Sequence, residues 1–195
     1  MNKKVKADHI IKKIAVVIGF CLFATAVFLP FMLQWSIKQA EKEMKESVRL
    51  IRMLIPEVQN AVPEDRWDNS MAQLSLNNKD YIGLLEFPLF NSVLPVCAER
   101  ENILKSPYRF QGNIYDKTIQ IGGTSQKGQY DFYRDISVGD SVYYTDMEGY
   151  RYSYAVTDIC YEKKADKTTL NRKEAALTLF IKNIYAFEYI IIYCN

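Results

Sequence analysis

The sequence predicts a mainly β domain, a closed barrel, carried behind a membrane-spanning helix and a membrane-proximal helix. Three observations predict it. Residues 14–33 are twenty uncharged, apolar residues; Trp35 to Ile55 has helical periodicity; and from Tyr81 onward short apolar runs alternate with glycine-containing turns. At 195 residues the chain holds one ordinary domain plus attachments.

The N-terminus is basic. Lys3, Lys4, Lys6, Lys12 and Lys13 against Asp8 give the first thirteen residues +4, and the remaining 20 basic and 22 acidic residues give −2. The overall +2 supplies no basic surface for nucleic acid. Residues 1–13 therefore read as a cytoplasmic tail and 14–33 as a signal-anchor helix, since twenty residues at 1.5 Å each cover about 30 Å of hydrocarbon. Lysines preceding the span keep the N-terminus inside and place the rest of the chain outside, single-pass in the cell membrane. Pro30 lies near the far end, where a membrane helix tolerates it. Cleavage after Ala24-Thr25-Ala26 is the competing reading, but seven apolar positions follow Ala26, as an uncleaved anchor requires. Bulky Phe20 before Cys21 argues against a lipoprotein signal.

Residues 34–80 read as an extracellular helix and linker. Trp35 suits the outer interface. Ile37, Ala40, Met44, Ser47, Ile51 and Leu54 are spaced for one helix face, with charges elsewhere, and Pro56 stops the helix. With Ser47 in the seam this is a poor coiled coil, so the expectation is a docked helix or a solvated stalk. Val58 to Asp80 is polar and turn-rich, with one helical turn expected around Trp67 to Leu74.

Residues 81–195 carry the barrel. Tyr81 to Val96 (YIGLLEFPLFNSVLPV) reads as a strand over Ile82–Phe87, a break at Pro88 and a second strand closing on Leu94-Pro95-Val96. The run Ile119-Gln120-Ile121-Gly122-Gly123 and the turn Val138-Gly139-Asp140 follow. Tyr150, Tyr152, Tyr154 and Val156 alternate with Arg151, Ser153, Ala155 and Thr157, a period of two that reads as a packed strand face and not a ligand cage. Ala176–Ile181 and Phe187–Tyr193 are two more strands, and Gly112, Gly128, Gly139 and Gly149 mark turns. Many short strands with turns between them argue for closure.

The order and spacing of these segments resemble the sortase family, cysteine transpeptidases of Gram-positive cell envelopes. Those enzymes run from a Gly-x-Ile-x-Ile-Pro … Leu-Pro-Val segment through a strand ending in Ala-Gly-His and a Gly-Asp turn to a strand ending in Thr-Leu-x-Thr-Cys. The resemblance spans nearly all of residues 81–195 and implies an eight-stranded closed β-barrel. It also implies three catalytic groups: a cysteine nucleophile, a histidine acid/base and an arginine at the oxyanion. Ala-Gly-His falls on Gly122-Gly123-Thr124, so the histidine position holds Thr124. Thr-Leu-x-Thr-Cys falls on Thr178-Leu179-Phe180-Ile181-Lys182, so the cysteine position holds Lys182. The arginine falls on Glu188 or Tyr189. All three catalytic residue types are missing there. Asp65-Arg66-Trp67 is similar to the lid tripeptide of pilin-polymerising sortases but lacks its proline and is read as coincidence.

No other thiol can take over by the same mechanism. Cys97, Cys160 and Cys194 follow the span, while the only histidine, His9, precedes it, so the outer domain contains no Cys-His pair. They are expected as buried thiols, or two of them as a disulfide in an oxidising setting. No C-x-x-C suggests a metal, and no cofactor is expected. Thr124 with a desolvated Lys182 as base is the one catalytic alternative. The charged run Glu162–Lys173 falls where sortases wall the substrate groove and otherwise reads as solvated loop.

The resulting expectation is a pseudosortase: a membrane-anchored, non-catalytic binding, scaffold or accessory module in cell-surface protein or pilus assembly. Its partners would be the membrane through residues 14–33 and a cell-surface protein, a pilin or a sortase. The alternatives are an active transpeptidase or hydrolase with a Thr124/Lys182 site, and a structural anchor of a membrane complex.

Overall fold

A computed structural model describes residues 2–60, 70–100, 105–171 and 174–195. The chain divides into two units, Met1–Gln39 and Ala40–Asn195. The first lies on helix α1 (Asn2–Leu54), which also holds His9. Its apolar side chains, from Val16 through Phe23 and Phe28 to Leu33, are exposed, and nothing in its most apolar window is buried. The helix is long and apolar enough to cross a membrane, and Pro30 does not interrupt it.

The second unit begins with the last turns of α1. Ala40, Met44, Ser47 and Ile51 are buried there, the face that the sequence spacing marked, whereas Leu54 is 58 % exposed. The Ser47 and Tyr81 hydroxyls hydrogen-bond at 2.9 Å, so the polar seam residue that weakens a zipper here docks the helix. The helix ends just before Pro56, whose missing N–H and fixed φ cannot continue it.

The strands are β1 (Leu74–Leu76), β2 (Lys79–Phe87), β3 (Ser92–Cys97), β4 (Tyr108–Gln111), β5 (Ile119–Thr124), β6 (Ser141–Asp146), β7 (Arg151–Glu162), β8 (Leu177–Lys182) and β9 (Tyr189–Cys194). Their order is β1-β2-β3-β4-β5-β8-β9-β7-β6, and a β2–β6 pairing closes eight strands into a barrel with β1 added on β2. A 3-10 turn, Pro88–Phe90, separates β2 from β3 where the proline break was expected. Gly112, Gly128, Gly139 and Gly149 all have positive φ, the turn conformation that favours glycine.

Two expectations change. The segment read as linker contains β1, and β2 starts at Lys79, so the sheet begins before Tyr81. No helix forms over residues 70–74; the rest of that expected turn, and Asp65-Arg66-Trp67, lie outside the described residues.

Alternation divides the barrel into an inner and an outer layer. Ile119, Ile121, Leu177, Leu179 and Ile181 enter the central core with Ile82, Leu85, Val96, Ile190 and Ile192. A second cluster covers the outer face, where Tyr108, Leu170, Phe180, Ile191 and Tyr193 share a layer with Ile51 of α1. Tyr154 is buried in the central core and Tyr152 packs on it, its hydroxyl 3.4 Å from Asp146. Tyr152 and Tyr154 are thus packing surface.

Candidate functional site

The parallel pair β5 and β8 is in register from Ile119↔Leu177 to Thr124↔Lys182, and antiparallel β9 places Tyr189 opposite Lys182. Thr124, Lys182 and Tyr189 therefore share one row at the ends of three adjacent strands. Glu188 stands next to that row, and its carboxylate accepts from Asn183 Nδ2 at 2.9 Å.

Because Ile121, Leu179 and Ile181 point inward, Gly122, Thr124, Phe180 and Lys182 point outward by the period of two. Gly122 is obligatory: a Cβ there would sit 2.4 Å from the Phe180 ring and 3.0 Å from Tyr108. Phe180 lies over that backbone, edge-on to Tyr108 (centroids 6.2 Å) and Phe110 (5.3 Å). The outer face beside Thr124 is consequently aromatic and closed.

Thr124 is fully buried. Gln129 Oε1 accepts both its backbone N–H (3.0 Å) and its hydroxyl (3.3 Å). Lys182 is exposed, as are Tyr185 (78 %) and Phe187 (103 %) in the following loop. A Thr124/Lys182 dyad needs a free hydroxyl and a desolvated lysine; here the strand partners are adjacent, but the hydroxyl is occupied and the lysine solvated.

Asn183 plugs the same end. It is 2 % exposed, its Nδ2 donates to Tyr133 Oη (3.2 Å) and Glu188, and its Oδ1 accepts from Tyr185 N–H (3.0 Å). Ser125 Oγ accepts from Ile184 N–H at 3.1 Å, and Arg134 Nε donates to Tyr133 Oη at 2.9 Å. These polar groups satisfy one another.

The thiols lie elsewhere. One row of register partners runs Cys97–Tyr108–Gly122–Phe180–Ile191–Cys160, so Cys97 and Cys160 are each two strands, about 10 Å, from the β5–β8 pair. Cys194 faces the barrel core opposite Leu177, at the other end of β8 from Lys182, and burial pushes its thiol up to about 12. All are thiols, not a disulfide. Among the described residues no group of three or more His, Cys, Asp or Glu side chains is placed to hold a metal.

The run Glu162–Lys173 is partly structured. Asp166 accepts from the Thr169 N–H and hydroxyl, both at 2.9 Å, which holds its carboxyl below the usual range and caps the short helix α2 (Lys167–Leu170). Leu170 is buried in the outer layer, and Tyr193 Oη donates to Thr169 O at 2.6 Å. Arg172 and Lys173 lie outside the described residues.

Sequence reasoning missed Gln129, Asn183 and Gln120. Only Gln120 carried a signal, as a polar residue between two core isoleucines.

Neither a family model nor a curated protein matches this sequence. Solved structures do. The chain superposes on sortase C1 from Streptococcus agalactiae with a TM-score of 0.52 at 17% identity, covering 64% of this chain and 72% of that one. On sortase A from Corynebacterium diphtheriae the TM-score is 0.50 at 13% identity, covering 82% and 83%. In fold, the closed barrel of residues 79–194 is sortase-like.

Proposed function

We propose that this protein is a membrane-anchored, non-catalytic sortase-like module that holds a peptide, a pilin-like protein or another envelope component at the β5–β8 strand ends. Helix α1 anchors it, with residues 1–13 in the cytoplasm and the barrel outside. The observation that carries this reading is the row Thr124–Lys182–Tyr189, which supplies neither imidazole, thiolate nor guanidinium. The threonine is already bonded to Gln129; Cys97 and Cys160 stand two strands away in register, and Cys194 lies at the far end of β8 from Lys182. Lys182, Tyr185 and Phe187, exposed together at this end, are side chains of the kind that make partner contacts: one cation and two large aromatic faces.

Incubation of the full chain with sorting-signal peptides and an acceptor amine is expected to leave its intact mass unchanged. A covalent acyl adduct would overturn the non-catalytic reading. Capture of cell-surface proteins by the wild-type chain, reduced in Lys182→Glu, is the expected positive result; equal capture by both would remove this surface from the proposal.

A further inference from the structure

At the opposite end of the same two strands, the register partners Gln120 and Thr178 point outward, since Ile119, Ile121, Leu177 and Leu179 occupy the core. They floor an open groove of about 590 Å3, walled by Leu170, Asn171 and Ala175. That volume falls within the roughly 300–1,000 Å3 typical of small-molecule clefts. Four residues, about 13 Å, separate it along the strand from Thr124 and Lys182.

Gln120 is the anomaly. It is 4 % exposed, and its Nε2 donates to Asn171 Oδ1 at 2.6 Å, yet its Oε1 has no hydrogen-bond partner. A buried amide oxygen left unbonded is costly, and folded proteins pair such atoms with protein, water or ligand. Turning both amides over preserves the Gln120–Asn171 bond but leaves a Gln120 N–H unpaired instead. In either orientation the side chain lacks one partner.

We propose that this groove binds a neutral, hydroxyl-rich ligand, a short oligosaccharide. A hydroxyl both donates and accepts at one atom, so it completes Gln120 in either amide orientation. A peptide group directs its N–H and C=O to opposite sides and completes only one. Thr118 and Thr178 add hydroxyls to the two amides, and the half-buried Ala175 and Ala176 offer apolar surface to the C–H face of a sugar ring. Among the described residues of the rim Lys117 and Glu174 cancel in charge, which favours an uncharged ligand.

The test is saturation-transfer difference NMR on the full chain in lipid nanodiscs, free of sugar-headed detergent. Maltotriose and chitotriose are the probes, and trialanine is the peptide arm. The expected result is transfer to at least one trisaccharide and none to trialanine. Gln120→Leu should weaken it about fivefold, the equivalent of one neutral hydrogen bond. Thr178→Val, which keeps the side-chain shape, should weaken it too, with an unchanged melting temperature. Lys182→Glu should leave it intact, which separates this site from the partner surface at the other strand end. No transfer to either trisaccharide, transfer to trialanine alone, or equal transfer in both groove variants would each overturn the inference.

Discussion

Replacing Asn183 by alanine tests whether the β8–β9 strand end is held by a buried polar plug. The side chain is 2 % exposed and makes three well-formed bonds: to Tyr133 Oη at 3.2 Å, from Tyr185 N–H at 3.0 Å and to the Glu188 carboxylate at 2.9 Å. Two neutral bonds at about 1 kcal/mol each and one to a charged group at about 2 kcal/mol give a loss of about 4 kcal/mol. For a unit of this size that lowers the melting temperature by about 8–16 °C. Differential scanning calorimetry of the full chain reads the shift, and Glu188→Gln supplies the comparison. The glutamine keeps an acceptor for Asn183 and loses only the charge, so its cost should be about 1 kcal/mol. A fall of less than about 3 °C in Asn183→Ala, under 2 kcal/mol on the same scale, would refute the plug and imply that water replaces these bonds freely.

Two further outcomes follow from burial. Cys194 titrates near 9.0 in the unfolded chain and is pushed up to about 12 in the core, so the unfolded state loses its proton first. Stability is then complete below pH 9 and falls across pH 9–12 by about 1.4 kcal/mol per pH unit. Urea midpoints at pH 8, 9 and 10 measure it. In Cys194→Ala the fall should begin only near pH 10, where Tyr130, Tyr144 and Tyr154, also raised by desolvation, take over. Ile51→Ala should cost about 2–5 kcal/mol, because Ile51 is fully buried against the outer layer with Tyr81 and Leu84. Leu54→Ala, at an exposed position one turn on, should change stability by less than about 0.5 kcal/mol. Equal melting of the two variants would mean that α1 does not dock.

The elements that the residues announced were those with uninterrupted apolar character. The strands β2, β8 and β9 are rich in Leu, Ile and Tyr because most of their positions are buried. The strand β4, only four residues long, and β6, reading SVYYTD, give too short or too polar an alternation to be separated from loop. The strand β1 is three residues long, and its one local mark is the two-residue turn Asn77-Asn78, both at positive φ, too little to announce a strand. The pairing of Thr124 with Lys182 was legible only through the sortase resemblance, whose motifs fall on the ends of β5 and β8. The groups around it were not. Gln129 reaches Thr124 through the turn after β5, and Asn183 meets Tyr133 fifty positions away in sequence. Those partnerships depend on where loops return to the sheet, which no period of two or 3.6 encodes.

The same alternation explains how a sortase-like barrel closes whatever side chains stand on its outward face. On β5 and β8 the inward side chains Ile119, Ile121, Leu177, Leu179 and Ile181 hold the barrel together, and the outward ones contribute nothing to its core. Substitution at outward positions is therefore decoupled from closure of the sheet. What constrains those positions is the outer layer, and there the side chains fit each other. Phe180 needs the missing side chain of Gly122, Thr124 needs Gln129, and the strand end needs Asn183. An imidazole introduced at Thr124 would place a large ring where the side chain has no exposed surface at all. It would displace Gln129. Packing thus leaves no room for an imidazole at Thr124, and the side chains exposed at this end are Lys182, Tyr185 and Phe187.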